Sequence, residues 1–533
     1  MSVDDCKVEE CGAAAEKDIS TSITTSLREF RGLGTRKELT PEVTERLSVQ
    51  AASGFLAHYL ATGEYLGEAI TLLCEVATLP EENLAKPGLK GIFPLLVERL
   101  SDSFNPQYCL LYDQAFAQVV EFCRHQPAGR AIDAQLKRFG LMNEQALLSR
   151  KKALRDRPER FDHRLRERIK KVCILSRVTI GAEVAITSII MAKLKELLPH
   201  AEMALLAGSR ARQLFGGDER ARVREIRYER SGGLIERLNS WLEVVETIDD
   251  ERKGLGPDEF LVVDPDSRLT QLGVLPVVED AARYFFFESR SHRTEGAECI
   301  GQITVNWVNE CFGHDSELYP YVSLLSEDKA LGRELCQKLR RGSGRFLVGI
   351  SFGVGGNARK RVSEIFEEKL VSSLIDDGCV VVLDKGAGEE ECDRVNRLVA
   401  ALRRKGKVVC EIDEASRPHM LQSEAIKCHV ATWEGSIGAF ASLIAESDEY
   451  IGYDSAGQHI AAALAVPTID IFADSSYPLF CERWTPYGKG LVKVVRLGSA
   501  PGETTVDASD GALAAVVAHH GEIKKPRLEG RLS

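Results

Sequence analysis

The sequence predicts an α/β protein in which two parallel-sheet domains follow an all-helical N-terminal domain. From residue 40 to 165, apolar residues recur at three- and four-residue spacing, which is typical of packed helices. From residue 170 onward, apolar strands such as VCILSRV alternate with helical segments such as TSIIMAKLKELLP. Such strands favour parallel sheets that are covered on both faces. The alternation begins again after residue 345 with FLVGISFG, so we expect two such domains.

These changes of pattern divide the 533 residues into five segments. We expect a disordered tail at 1–39, a helical domain at 40–165, a first Rossmann-like domain at 170–335, a second at 345–500, and a C-terminal helix and tail at 501–533. Ligands of Rossmann-like sheets bind beyond the carboxyl ends of the strands. The helical domain shows no cluster of catalytic residue types, so we expect it to serve acceptor recognition or assembly.

Composition excludes several classes of function. A net charge of −11 and the lack of any nucleic-acid motif argue against a nucleic-acid partner. The fourteen cysteines include no C-x-x-C pair, so we expect no metal, no disulfide framework and a reducing, cytoplasmic environment. No apolar run approaches the ~20 residues that cross a bilayer. We expect no cofactor.

Residues 150–171 form a basic segment with eleven Lys or Arg against four Asp or Glu. One interpretation is a basic surface that steers the protein to an anionic membrane or a phosphorylated acceptor. The other is a solvated linker helix, which we favour because charge runs usually form solvated faces.

The stretch from Tyr450 to Ser476, YIGYDSAGQHIAAALAVPTIDIFADSS, carries the clearest site pattern. It predicts a short strand, a polar turn, a helix of small residues, and a second strand at Thr468 to Phe472. Small residues at a helix start leave backbone N–H groups open to an anion, and the helix dipole favours negative charge there. The stretch therefore indicates a phosphate or diphosphate site, or otherwise an ordinary βα unit of a parallel sheet.

The segment DSAGQH, followed by AAALAVPTIDIF, resembles the donor-binding signature of family 9 glycosyltransferases, the ADP-heptose (heptosyltransferase) group. The family pattern is Asp-Thr-Gly-x-x-His-x-x-Ala-Ala, then Gly-x-Pro-Thr and Phe-Gly. Small residues replace small ones at Ser455, Ala456, Ala465 and Ala473. The resemblance covers roughly residues 170–495 and implies the GT-B fold, in which two Rossmann-like domains face each other across a cleft.

The resemblance also implies the reaction. A sugar, ADP-heptose being the expected donor, would pass with inversion and without a metal to a hydroxyl of a glycan or lipid-linked acceptor of the lipopolysaccharide-core type. Such an enzyme is cytoplasmic, with peripheral contact at the inner face of the cytoplasmic membrane as one option. Two rivals are a protein O-glycosyltransferase whose helical domain grips a polypeptide, and a non-catalytic nucleotide-sugar-binding or assembly module.

In the first Rossmann-like domain the family has a basic residue, Gly-Asp and Thr-x-Pro after the first strand. The ungapped match places Arg177, Ala182, Glu183, Thr187 and Ile189 at the basic, Gly, Asp, Thr and Pro positions. The resemblance then implies that Glu183 is the general base for the acceptor hydroxyl. A register with a one-residue gap aligns Gly181 with the family's Gly and loses the acid. Glu183 could alternatively be a solvent-facing residue at a helix start.

In the second Rossmann-like domain the loop GVGGNARKR resembles the family's Lys-Arg-Trp-Pro segment, with Val362 and Ser363 in place of Trp and Pro. Lys360 would neutralise the departing diphosphate. An acid of the triplet Glu389–Glu391 would contact the donor nucleoside, and Glu390 fits best. The implied donor-binding set is Lys360, Arg361, Glu390, Asp454, Ser455, Ala456, Gly457 and His459.

The alternatives to these donor roles are a surface lysine, an acidic solvated turn and a buried structural histidine. Asp264 and Arg268, in the segment that follows the strand FLVV, are the acceptor-binding candidates.

Overall fold

The computed structural model describes residues 13–157, 160–228, 232–342, 346–473, 478–497 and 505–528. The chain forms two units, each built from several segments. Unit 1 comprises residues 1–158, 227–250 and 266–291, and unit 2 comprises residues 159–226, 251–265 and 292–533. The ends of the predicted tails, residues 1–12 and 529–533, lie outside the described residues, as do residue 345 and residues 474–476.

The first part of unit 1 is helical, as predicted. Its helices are α1 (Ala13–Arg36), α2 (Pro41–Thr62), α3 (Gly67–Ala77), α4 (Glu82–Lys90), α5 (Glu98–Asp102), α6 (Pro106–Arg124), α7 (Arg130–Arg138) and α8 (Glu144–Asp156), with a π-helical turn at Gly91–Val97. Polar residues cap several of them. The side chains of Thr40, Asn105 and Asn143 each accept a hydrogen bond from a backbone N–H in the first turn of the following helix.

Helix α1 differs from the disordered tail that the sequence predicts for residues 1–39. Ile23, Leu27 and Phe30 are buried and lie three or four residues apart, so they form one apolar stripe. This helix packs on α2 and α3. The approach to α2 is close, since a Cβ on Gly54 would lie 2.9 Å from Ile23 Cδ1. The Ser and Thr residues between the apolar positions hide this stripe from a prediction based on composition.

Unit 1 also takes in two segments from beyond the predicted helical domain. They contain helix α12 (Leu234–Arg252), which extends just past the unit, and strand β5 (Tyr284–Phe286). Trp241 of α12 is buried, and its Nε1 donates to the carbonyl oxygen of Pro276 at 2.6 Å. Arg138 of α7 forms an ion pair of 2.6 Å with Asp249 of α12. The unit is therefore discontinuous, and a chain that began near residue 160 would leave α12 without its partner Arg138.

Two cations at the start of the basic segment fit neither sequence interpretation. Elsewhere the segment is solvated as expected, since the side chains of Lys152, Arg164 and Lys170 are 74%, 90% and 63% exposed. Lys151 is buried, with its Nζ 2.8 Å from Glu288 Oε1. Arg155 pairs with Glu288 at 2.7 Å and with Asp113 at 2.5 Å. These two cations hold unit 1 together through buried and part-buried ion pairs.

The first parallel sheet of unit 2 follows the predicted βα alternation. Its strands β1 (Lys171–Leu175), β2 (Glu202–Ala207), β3 (Ala221–Glu225) and β4 (Phe260–Asp264) lie in the order β3-β2-β1-β4. Between and after them run α9 (Ile180–Ala182), a π-helical segment (Glu183–Thr187), α10 (Ser188–Leu197), α11 (Ser209–Phe215) and α13 (Ile300–Phe312). Strand β1 is central and buried from Val172 to Leu175, which agrees with its continuous apolar sequence.

The second parallel sheet has the strand order β12-β11-β10-β6-β7-β9-β8. The strands are β6 (Leu347–Ser351), β7 (Val380–Asp384), β8 (Val409–Ile412), β9 (Val430–Trp433), β10 (Glu449–Tyr453), β11 (Thr468–Phe472) and β12 (Val492–Arg496). The helices are α14 (Ser326–Gly342), α15 (Glu364–Asp376), α16 (Glu389–Arg404), α17 (Arg417–Gln422), α18 (Ile437–Ala445), α19 (Ala456–Ala463), α20 (Pro478–Trp484) and α21 (Thr505–Leu528). Strands β9 and β12 were not predicted from the sequence.

The order of this sheet fixes where a ligand can bind. Strand β6 lies between β10 and β7, and the chain proceeds from β6 to β7 on one side and later to β10 and β11 on the other. The connections after β6 and β10 therefore diverge and leave a crevice at the carboxyl ends of these two strands. The predicted fold class, two parallel α/β sheets after a helical region, is confirmed. Among the described residues, no helix combines the length and apolar character needed to span a bilayer.

The packing of α1 generates a prediction. Phe30→Ala should remove a buried ring and destabilise α1 on α2 and α3 by about 3–5 kcal/mol. Hydrogen exchange should show protected α1 amides in the wild type and faster exchange in the variant. Leu60→Ala is the control, because the Leu60 side chain is 66% exposed and its loss should change little. If the α1 amides of the wild type exchange without protection, the predicted disordered tail is correct and the packed helix is not.

Candidate functional site

The turn after β10 lies at the crevice between β6 and β10. Ser455 precedes α19 with an extended backbone, and its side chain makes no capping hydrogen bond, so it does not occupy the N–H groups of this helix start. The buried ring of Tyr450 lies beneath the turn. A Cβ on Gly457 would lie 1.9 Å from the Tyr450 hydroxyl. Glycine at 457 is thus required by packing.

Lys360 reaches this turn from the loop after β6. Gly355 and Gly356 turn the loop with φ angles of 61° and 89°, which favour glycine. The Nζ atom of Lys360 then lies 2.5 Å from Asp454 Oδ2 and 3.4 Å from the Asp454 carbonyl oxygen. The structure therefore brings the cation of Lys360 to the carboxylate of Asp454 and to an open helix start. Lys360 and Asp454 are 94 residues apart in the sequence.

Asp470 is a member of this site that the sequence analysis missed. It lies on β11 beside Gly452 of β10, and it is fully buried. Burial and the charge of Asp454 raise the pKa of Asp470 well above its ordinary value, with Lys360 acting in the opposite direction. Neither carboxyl oxygen has a hydrogen-bond partner among the described residues. An acid in the middle of the apolar strand TIDIF was the available signal.

The His459 side chain is buried on α19 and does not lie on an open surface. Burial, with a smaller effect of the Lys360 charge, lowers its pKa to about 3, so the imidazole is neutral at physiological pH. Its ring packs against Trp484 with centroids 5.8 Å apart. Its neighbour Gln458 donates to Asp454 Oδ1 at 3.1 Å. His459 therefore suits a role in positioning the turn better than a charged contact to a phosphate.

Arg361 and the acidic triplet divide their roles differently from the sequence expectation. Arg361 pairs at 2.5 Å with Glu390, whose side chain is 69% exposed. The next residue, Glu391, accepts backbone hydrogen bonds from Val354 at 2.8 Å and from Gly355 at 3.2 Å. Glu391 thus fixes the glycine loop that carries Lys360, and sequence reasoning did not single it out.

Glu183 begins the π-helical segment after β1. It is 2% exposed, so the alternative of a solvent-facing residue is wrong. The Ser176 hydroxyl donates to its Oε1, while its Oε2 has no hydrogen-bond partner among the described residues. Burial raises the pKa of Glu183 to about 7, although the Ser176 hydroxyl, the Val178 backbone N–H and the Arg177 charge act to lower it. A carboxyl group with this pKa suits proton transfer near neutral pH.

The turn that carries Glu183 packs directly on the start of α19, which follows the Asp454 turn. Helix α9 and the π-helical segment both contact α19. A Cβ on Gly181 would lie 3.0 Å from His459 Cδ2 and 3.5 Å from Ala456 Cα. A side chain at this position would require His459 to shift by a few tenths of an ångström, so glycine favours this close approach. Val178 has a φ of 72°, a strained value for a β-branched residue.

The two acceptor candidates belong to different units. Asp264 ends β4 in unit 2 and is fully buried. Arg268 belongs to unit 1, where its guanidinium donates to Ser101 Oγ at 3.1 Å and lies 3.8 Å from Asp102 Oδ1. Arg177, at the family's basic position, donates to the Pro265 carbonyl oxygen at 3.0 Å.

Comparison with known proteins agrees with the sequence resemblance. The model of Glycosyltransferase family 9 (heptosyltransferase) matches residues 422–507, the part of the chain that contains the Asp454 turn. No curated protein sequence matches the chain. The resemblance predicted from the residues is confirmed over the matched segment.

Several solved structures are similar to this chain. A glycosyltransferase of family 9 from Veillonella parvula is 14% identical with a TM-score of 0.47, and the match covers 67% of this chain and 100% of that one. Escherichia coli heptosyltransferase WaaC with ADP-2-deoxy-2-fluoro heptose is 14% identical with a TM-score of 0.43, over 66% and 99% of the two chains. Escherichia coli ADP-heptose heptosyltransferase II is 16% identical with a TM-score of 0.41, over 65% and 99%.

The contact between Lys360 and the Asp454 turn generates a prediction. Lys360→Ala should weaken ADP binding by about 1.5–3 kcal/mol, because a charge-assisted contact is lost and Asp454 remains without its counter-charge. Isothermal calorimetry measures the affinity. Lys369→Ala is the matched control, since Lys369 pairs with Asp510 at 2.8 Å on the exposed side of α15. Equal ADP affinity in the wild type and the Lys360 variant would remove Lys360 from the site.

Proposed function

We propose that this protein is an inverting glycosyltransferase that transfers a sugar, heptose in particular, from a nucleoside diphosphate to a hydroxyl of a glycan of the lipopolysaccharide-core type. The observation that carries the proposal is the open start of α19 with Lys360 beside it, at the crevice between β6 and β10. The family match over residues 422–507 supports the same assignment.

The donor turn offers two sources of positive potential to a diphosphate. The N-terminal N–H groups of α19 and the helix dipole favour an anion at Ser455 and Ala456. The ammonium group of Lys360 stands at the same turn. When the bond between the sugar and the diphosphate breaks, negative charge develops on the leaving oxygen, and these preorganised groups stabilise it.

Glu183 is the base in this mechanism. The acceptor oxygen attacks the anomeric carbon on the face opposite the diphosphate, and the carboxylate takes the hydroxyl proton as the new C–O bond forms. The turn of Glu183 packs on α19 through Gly181, so the acid and the donor turn are held in one rigid arrangement. The buried Oε2 is the oxygen available for the proton.

A donor screen with mass spectrometry tests the assignment. ADP-heptose and a set of other nucleotide sugars are each incubated with a heptose-accepting oligosaccharide and with a polypeptide pool. Transfer to the oligosaccharide supports the proposal, and transfer to polypeptide supports the protein-acceptor rival. Nucleotide binding without transfer or hydrolysis of any donor would identify a non-catalytic binding module.

The role of Glu183 predicts a rate effect. Glu183→Gln keeps the shape, removes the basicity and should reduce transfer by about 10²–10⁴-fold, while ADP affinity stays nearly unchanged. Glu183→Asp should retain part of the activity. Single-turnover transfer with saturating donor and acceptor is the measurement. Glu202→Gln is the control, because the Glu202 side chain is 78% exposed. A Glu183→Gln enzyme with the wild-type rate would place the base elsewhere.

The raised pKa of Glu183 predicts a pH dependence. A base acts in its ionised form, so the single-turnover rate should rise about tenfold per pH unit below pH 7 and level off above the pKa of about 7. The residual rate of Glu183→Gln should lack this inflection. A wild-type profile that is flat between pH 5.5 and 8 would contradict Glu183 as the base.

A further inference from the structure

A second cluster of chemically active side chains lies at the opposite edge of the second sheet. Cys379 directly precedes β7, and Glu449 begins β10, so both stand at the amino ends of parallel strands. His520 of α21 joins them there. Its Nε2 lies 3.5 Å from Cys379 Sγ and 3.2 Å from Asp377 Oδ2. Cys379 and His520 are 3% and 2% exposed.

The other ring nitrogen of His520 is held by a carboxylate. Nδ1 lies 2.5 Å from Oε2 of Glu449, and Glu449 is fully buried. Metal-bound histidines almost always donate their second N–H to a carboxylate or carbonyl oxygen, which fixes the tautomer and the ring orientation. Here the donation at Nδ1 turns Nε2 toward a thiol and a second carboxylate.

The spacing of these three groups fits a tetrahedral ion. Zinc binds thiolate sulfur at about 2.3 Å and imidazole nitrogen or carboxylate oxygen at about 2.0–2.1 Å, which puts sulfur and nitrogen about 3.5 Å apart and nitrogen and oxygen about 3.3 Å apart. The observed separations are 3.5 Å and 3.2 Å. One ligand atom from each of Asp377, Cys379 and His520 lies within 4.8 Å of the others.

We propose that Asp377, Cys379 and His520 bind a divalent transition-metal ion, zinc being the ion that a thiolate, an imidazole and a carboxylate suit best. Glu449 orients His520 from behind. The fourth ligand is water, because the side chain of Asp377 is 55% exposed and opens the site to solvent. The ion would fasten α21 to the sheet by bonds from three separate positions of the chain.

In the metal-free chain, the ammonium group of Lys524 and a proton on His520 lie within the cluster. The Nζ atom of Lys524 lies 2.5 Å from Asp377 Oδ2. Burial lowers the pKa of His520, but its hydrogen bonds to Cys379 and Glu449 outweigh burial and raise the pKa to about 10. Binding of the ion at Nε2 therefore displaces the proton of His520.

Cobalt(II) serves as the spectroscopic probe for the full-length chain after treatment with a chelator. The expected result is one bound ion per chain, with a thiolate-to-cobalt charge-transfer band that zinc abolishes by competition. Cys379→Ser should remove the band. Glu449→Gln should weaken cobalt binding by about 10–100-fold, the usual effect of losing such an orienting carboxylate. Cys336→Ser is the control, because Cys336 is buried elsewhere in unit 2 and should leave the band intact.

A second variant keeps the test decisive if Cys379→Ser does not fold. Lys524→Met removes the ammonium group that competes for Asp377, so cobalt should bind at least as tightly as in the wild type. If the cluster were only an ion-pair clamp for α21, the wild type and Lys524→Met would both lack the charge-transfer band. That result would overturn the proposal, and so would a band that survives Cys379→Ser.

Discussion

The ion pair between Lys360 and Asp454 is the contact on which the candidate site depends. It joins the loop after β6 to the turn after β10, and so it ties together the two connections that diverge at the crevice. The two side chains are 24% and 7% exposed, and withdrawing both charges from water carries a desolvation cost that only good geometry offsets. A diphosphate in the crevice would add negative charge to a site that already contains Asp454 and Asp470. The raised pKa of Asp470 favours its neutral form, which limits the repulsion.

Burial raises the pKa of two acids of unit 2, Asp470 and Glu183, with different consequences for each. Asp470 lies on β11, where burial and the charge of Asp454 raise its pKa well above the ordinary value. Glu183 has three groups that favour its ionised form, and these bring its pKa back to about 7. A proton can then leave or return near neutral pH. The strained backbone of Val178, which donates its N–H to Ser176 Oγ at 2.7 Å, holds the hydroxyl that contacts Glu183. Such strain is retained where the surrounding structure fixes it, and functional sites are the usual place.

The sequence predicted the fold class and the main site because both depend on local patterns. Apolar strands, capped helices and a small-residue helix start are read over ten or twenty residues. What the sequence did not predict has physical causes. The contact of Glu391 with the glycine loop is one example, because Glu390 and Glu391 are adjacent on α16 and a helix turns about 100° between them. The stripe of α1 is concealed by polar neighbours. The later segments of unit 1, and the pairing of Asp377 and Cys379 with His520, join positions more than 90 residues apart, and no local pattern reports such contacts.

Strand β10 runs from the proposed metal site at its amino end to the Asp454 turn at its carboxyl end. Glu449 begins it and Asp454 follows it, so the two groups stand about 13–16 Å apart at ~3.3 Å per residue. At an effective dielectric constant of about 20, unit charges at that separation interact by roughly 1 kcal/mol. A change of charge at the amino ends of β7 and β10 would therefore alter the electrostatic potential at the Asp454 turn. Metal binding there should act on the attachment of α21.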